Sequence, residues 1–306
     1  MKKVILFSLI SVFAFTACSV KKQEKTIPKI IAEGAKLTLV SDDFEFTEGP
    51  ASDKEGNVYF TDQPNDQILK WNATTNTISQ YLKPSGRSNG LYFDNQGNLL
   101  SAADEKNELW SINSDKKVTV LVSKFEGNKL NGPNDLWVDS KGGIYFTDPY
   151  YQRDWWSHKE PQQKENRVYY LAPNADKSIV VSNDNYVQPN GVIGSKDGKT
   201  LYVSDHGDKK TYVFTIEENG SLTHRKLFTD MISDGMTIDN LGNVYLAGDG
   251  ITVFNSEGKK IEHIAVPEGW TANVTFGGKN QKTLFITAMD AVYTLEMNVQ
   301  GVRYAK

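Results

Sequence analysis

The sequence predicts an all-β chain folded as a six-bladed β-propeller, with the ring closed by a strand from the N-terminal side. Three observations carry that reading. An Asp/Gly turn flanked by two apolar runs recurs five times with a weaker sixth copy, two further strand-like segments follow the earlier copies, and long stretches of helical periodicity are missing. The copies are DKEGNVYFTD at 53–62, DNQGNLLSAAD at 94–104, DSKGGIYFTD at 139–148, KDGKTLYVSD at 196–205 and DNLGNVYLAGD at 239–249. A sixth, GKNQKTLFITA at 278–288, lacks the turn glycine. Gly56, Gly97, Gly142, Gly198 and Gly242 lie 41, 45, 56 and 44 residues apart, the range of four-stranded blades rather than of helical repeats.

Taken in order, the chain opens with Lys2-Lys3, an apolar run from Val4 to Phe15 and small residues before Cys18, the layout of an export signal over residues 1–17. Phe15-Thr16-Ala17-Cys18 looks like a bacterial lipobox, so Cys18 is the expected lipidation site; a plain signal peptide that contains a cysteine is the other reading. Ser19 points to the outer membrane, and hence to a cell-envelope protein facing the periplasm from a lipid anchor. Residues 18–35 read as a tether and 36–306 as the propeller. Cys18 is the single cysteine, so the folded domain has no disulfide framework, cysteine zinc site or thiol nucleophile. The 306 residues are 39% hydrophobic and 11% aromatic, enough for a sizeable core. A net charge of −4, or −6 once Lys2 and Lys3 are removed with the leader, offers no basic stripe for nucleic acid and leaves a small molecule as the expected partner. Nothing in the sequence sets the oligomeric state.

In the first blade, Gln67 to Trp71 and Thr77 to Leu82 supply the third and fourth strands. The third blade carries an insertion, QRDWWSHKEPQQKEN at 152–166, which accounts for its 56-residue spacing and reads either as a lid bearing Trp155 and Trp156 or as packing against a neighbouring blade. The last blade has three strands, Ala272 to Phe276, Thr283 to Thr287 and Ala291 to Glu296. Lys36 to Val40 is expected to be its fourth.

Four places interrupt the repeat at equivalent points of a first strand: TEGP at 47–50, PND at 133–135, PNG at 189–191 and SDG at 233–235. Each is composed of turn formers, and turn chemistry alone explains any one of them. Together they place Glu48, Asn134, Asn190 and Asp234 at the same strand end in four blades, and innermost strands surround one channel. Two carboxylates and two amide oxygens suit one divalent hard cation, Ca²⁺ first, with Zn²⁺, Mn²⁺ or Mg²⁺ as the other choices.

These residues also carry a resemblance. TEGP, PND with FTDPYY at 146–151, PNG with LYVSD at 201–205, and SDGMTID at 233–239, in that order and spacing, resemble the senescence marker protein/gluconolactonase/luciferin-regenerating-enzyme-like family of six-bladed propellers, over about residues 36–297. The resemblance implies that Glu48, Asn190 and Asp234 bind a divalent metal, that Asn134 contacts metal or substrate, and that Asp135 is a carboxylate behind the metal or on the substrate side. The family often has an arginine two residues before the position of Asn134, where this chain has Gly132. Its frequent Glu-His-Gly run is Asp104-Glu105-Lys106 here.

The implied reaction is opening of a lactone, such as gluconolactone, or of an ester by water, the cation polarising the carbonyl and Asp234 serving as general base; a metal-lowered water pKa without a dedicated base is the alternative. A non-catalytic propeller in which the ion pins the channel and the top face binds a glycan or protein is the competing reading. There is no HExxH motif, Ile193 stands where a phosphate loop at DGKT would need glycine, and the histidines are scattered at 158, 206, 224 and 263. Of these only His206 is placed to reach the site, and it reads more simply as a surface-loop residue.

Overall fold

The computed structural model describes residues 29–173, 178–180 and 184–302; the leader, Cys18 and most of the tether lie outside them. Six four-stranded antiparallel sheets follow one another along the chain, and the first strands of successive sheets are neighbours all the way round, the last against the first. Those inner strands are Thr47–Ser52, Ser88–Phe93, Leu136–Val138, Pro189–Gly194, Met236–Ile238 and Thr271–Gly277. The ring is closed as expected. Thr271–Gly277, Thr283–Ala288 and Ala291–Glu296 form three strands of the last blade, and Thr38–Ser41 pairs with Ala291–Glu296 as the fourth, slightly further along the chain than Lys36 to Val40. Thr47 adds a latch: its N–H and Oγ1 donate to Met289 O at 2.7 and 3.1 Å, and Oγ1 reaches Ala291 O at 2.9 Å.

Polarity sorts the strands by depth. Thr47–Ser52 and Val58–Asp62 are buried at every position, whereas Thr77–Leu82 is half-buried or exposed throughout. Between blades the core is aromatic: Tyr59 meets Phe93 at 5.2 Å, Phe60 and Trp71 meet Phe285 at 5.5 and 5.3 Å, and Tyr245 meets Phe276 at 5.3 Å.

The repeated aspartates build scaffold. Asp53 Oδ1 accepts the N–H of Glu55 and Asn57, and Asp94, Asp139 and Asp239 accept the equivalent pair, which fixes each tight turn at its glycine, Gly56 with φ of +88°. The aspartate ending the second strand does a second job. Asp62, Asp148 and Asp205 each take two consecutive backbone N–H groups from the loop entering their own blade: Glu45 and Phe46, Asn131 and Gly132, Val187 and Gln188. The sequence feature that repeats is thus what positions the loop that does not.

Candidate active site

In the first, second and fourth blades the inner strand bulges within a residue of one register position, so that two residues oppose one, between Glu48 and Ala51, Ser88 and Leu91, and Pro189 and Val192. Extending the register through TEGP, SNGL, PNDL, PNGV, SDGM and TANV puts Glu48, Asn89, Asn134, Asn190, Asp234 and Ala272 at one level around the channel. The next level holds Gly49, Gly90, Asp135, Gly191, Gly235 and Asn273. A Cβ on Gly49 would lie 2.1 Å from Asn89 O, one on Gly191 2.2 Å from Asp234 O, and one on Gly235 1.8 Å from Asn273 Cγ, so the strands close up where glycine allows it. Adjacent blades are stitched there by Gly90 N–H to Asn134 O and Gly235 N–H to Ala272 O, both at 2.7 Å.

The two non-glycine residues of the lower level are both bonded. Asp135 Oδ1 accepts Leu136 N–H at 2.9 Å and Oδ2 accepts Val192 N–H at 3.3 Å, tying the third blade to the fourth. Asn273 Oδ1 accepts Val274 N–H at 2.8 Å, and its Nδ2 donates to Glu48 Oε2 at 2.9 Å, fixing that carboxylate from the sixth blade.

Above them, Glu48, Asn134 and Asn190 are buried, and Asp234 keeps part of its surface open to the channel. Trp270 Nε1 donates to Asp234 Oδ2 at 2.7 Å. Asn190 Nδ2 reaches Tyr151 Oη at 3.2 Å. The side-chain amide of Asn134 bonds no other described residue, and Asn89 Oδ1 is buried without a donor. Burial raises the Glu48 carboxyl well above the usual carboxylate range, and the negative charge of Asp234 adds to the rise. Burial raises Asp234 as well, opposed by His206, by hydrogen bonds from Trp270 and Asn190, and by Arg153. Asp135, desolvated beneath them, is pushed up to about 7.

The structure therefore brings Glu48, Asn134, Asn190 and Asp234 to one level, with Asp135 below. Sequence reasoning passed over Asn89, Asn273 and Trp270, and gave Tyr151 no role beyond its place in FTDPYY. Ser88-Asn89-Gly90 echoes Pro189-Asn190-Gly191 and was a usable signal; Trp270 and Asn273 act across blades, where no local pattern points. His206 is half-buried rather than a free loop residue: Nε2 lies 3.0 Å from Ser233 O and the ring meets Trp270 edge-on at 6.4 Å. The insertion packs down. Trp156 is buried with Nε1 on Asp104 O at 3.0 Å, and Gln163 Nε2 donates to the carbonyls of Phe125, Asn128 and Lys129. Trp155 stays half-buried.

A divalent ion fits this centre. Buried carboxylates raised in pKa, an orphaned amide oxygen and unbonded Asn134 form an acceptor-rich pocket that suits a cation. Among the described residues no three Asp, Glu, His or Cys side chains form a metal cluster by themselves, so the donor set depends on amide oxygens.

A closed six-bladed propeller with an all-oxygen, cation-suited centre on its axis is the class that fold and site define. The chain belongs to the family described as the SMP-30/gluconolactonase/LRE-like region, whose model matches residues 46–290 and so takes in all six inner strands. It is 27% identical to gluconolactonase of Zymomonas mobilis over 94% of this chain and 88% of that one. It is 25% identical to diisopropyl-fluorophosphatase of Loligo vulgaris over 87% and 93% of the two chains. A solved gluconolactonase from Xanthomonas campestris superposes with a TM-score of 0.81 at 28% identity, covering 87% of this chain and 91% of that one.

Proposed function

We propose that the protein is a divalent-cation-dependent lactonase that opens a lactone, such as the sugar lactone gluconolactone, with water. The observation that carries the proposal is the centre itself: Glu48 and Asp234, both pushed upward in pKa, stand at one level of the channel with Asn134 and Asn190. Glu48, Asn134, Asn190 and Asp234 would hold the ion, and oxygen-only donors favour Ca²⁺ over Zn²⁺. When bound, the ion supplies Lewis-acid polarisation of the substrate carbonyl. The lactonase names of relatives that align over most of the chain support the hydrolase reading.

The remaining chemistry belongs to side chains. Trp270 Nε1 fixes Asp234 through Oδ2, and the Asp234 carboxylate would take a proton from the attacking water. The ring C–O bond then breaks, and the proton passes to the departing alkoxide, giving a hydroxy acid. Asn273 holds Glu48 in place, Asn134 offers its unbonded amide to the substrate, and Asp135 braces the strands beneath.

The test is proton release from glucono-δ-lactone in weak buffer, after chelation and after adding back Ca²⁺, Zn²⁺, Mn²⁺ or Mg²⁺, with Asp234→Asn alongside. Restoration by one ion and a loss of about 10²-fold or more in the variant are expected. Tight ion binding with no turnover of any lactone in a panel would overturn the proposal in favour of a non-catalytic, ion-pinned propeller.

A further inference from the structure

The 152–166 insertion brings a guanidinium group to the rim of the ring. Arg153 Nε donates to Asp104 Oδ2 at 2.7 Å, and its Cζ stands 5.6 Å from the ring centroids of both Tyr151 and Trp155. Tyr151 in turn bonds Asn190 through Oη, so a single aromatic ring separates the guanidinium from the candidate metal-binding level. Arg87, from the second blade, lies over the same Trp155 at 4.7 Å.

Asp104 is available for this because the second blade breaks the pattern of its neighbours. Ala103, not an aspartate, pairs with Ser88 there, and the loop amides of Ser85 and Arg87 go instead to Asp66 Oδ1 at 2.9 and 2.7 Å. Asp104 then serves the insertion: Oδ2 takes Arg153 and Gln63 Nε2, and its carbonyl takes Trp156 Nε1. Trp156 also fills the space at Gly132, where a Cβ would lie 2.7 Å from the indole. A side chain at position 132, in the loop leading to the inner strand, is excluded, and Arg153 enters from the insertion.

This wall is rich in donors and poor in acceptors. Of the two guanidinium groups only Arg153 pairs with the buried carboxylate; Arg87 donates to Pro64 O and has no carboxylate partner among the described residues. The terminal nitrogens of Arg153 donate to no described residue, and Trp155 Nε1 is buried without an acceptor. Lys129 and Lys159 act on nearby His158, adding positive charge on the same side, in a chain whose net charge is −4. A guanidinium fork with spare N–H groups matches a carboxylate better than a hydroxyl.

We propose that this wall selects the substrate: Arg153 holds an anionic substituent, so the favoured substrates are lactones that carry a carboxylate in addition to the carbonyl that is opened. The proposal rests on the lactonase reading and narrows it. D-glucaro-1,4-lactone and D-glucono-1,4-lactone are suitable probes, because they differ only in a carboxylate against a hydroxymethyl group at carbon 6. With the ion-loaded protein, kcat/KM is expected to favour the acid by at least about 10-fold, mostly through KM, and Arg153→Gln should bring that ratio to about 1, with Arg153→Lys in between. Equal kcat/KM for the two lactones in the unaltered protein, or an unchanged ratio in Arg153→Gln, would overturn the proposal while leaving the lactonase standing. Binding of D-glucarate against D-gluconate, followed by calorimetry, gives a readout that needs no turnover. A preference for glucarate that Arg153→Gln abolishes supports the wall even if neither lactone is hydrolysed, and equal affinities refute it. The Lys variant keeps the comparison open should the Gln variant fold poorly.

Discussion

Asp148 sets up a pH dependence that can be worked out from its surroundings. The carboxylate is fully buried and accepts Asn131 N–H at 2.9 Å and Gly132 N–H at 2.8 Å, which anchors the loop leading to Asn134. Burial outweighs those two bonds and lifts its pKa from 3.8 to about 7. Between those values the folded chain holds a proton that the unfolded chain has released, so stability falls as pH rises through the window. The whole shift is worth about 4 kcal/mol, and about 2 kcal/mol of it falls between pH 5 and 7. Asp148→Asn imitates the protonated acid: one N–H loses its acceptor at a cost of roughly 1–3 kcal/mol, independent of pH. The difference in unfolding free energy between variant and unaltered protein should therefore move toward the variant by about 2 kcal/mol from pH 5 to 7 and level off above. Urea unfolding followed by tryptophan fluorescence in the presence of a chelator, at half-unit steps from pH 5 to 8, measures this directly. A flat difference, or one that moves the other way, would mean that the two N–H bonds outweigh burial and that Asp148 is already ionised at pH 5.

Two further outcomes are expected. Trp270→Phe keeps the aromatic volume but removes the donor to Asp234, a charged hydrogen bond worth about 1.5–3 kcal/mol, so Ca²⁺ affinity measured by calorimetry should fall about 10- to 100-fold; unchanged affinity would dismiss Trp270 as a positioning residue. Deleting residues 30–42 removes the closing strand and bares the edge of Ala291–Glu296, so cooperative thermal unfolding should be lost, and a soluble variant with a sharp transition would refute strand closure as a requirement.

The ring was legible because the repeat supplied a ruler. Once the Asp/Gly turns were aligned, Glu48, Asn134, Asn190 and Asp234 fell at one register position, and side-chain direction follows register in a strand. The same ruler would have reached Asn89, had Ser-Asn-Gly been weighed with Pro-Asn-Gly. Asn273 is harder to read, because Ala272 takes the upper level in that blade and the amide sits one residue later. Trp270, Tyr151 and Arg153 escape such reasoning for another reason: each meets its partner from a different blade or an insertion, and a distance through space between two loops leaves no trace in periodicity. Thr38–Ser41 shows the limit at strand ends. An apolar run names a strand, but its final bounds depend on the partner, here the register that pairs Thr38 with Thr294.

That pairing also orders events in time. Thr38 leaves the ribosome 256 residues ahead of Thr294, so the first strand to be made is the last that can be placed. Until then, the sixth sheet has a bare edge, the early strand has no partner, and the contact that joins them is among the most non-local the chain can make, the kind that slows folding. Once formed, it leaves no terminal blade to fray. The propeller behaves as a loop fastened by one clasp, and its resistance to opening resides in the few backbone hydrogen bonds of that clasp together with the Thr47 latch beside it.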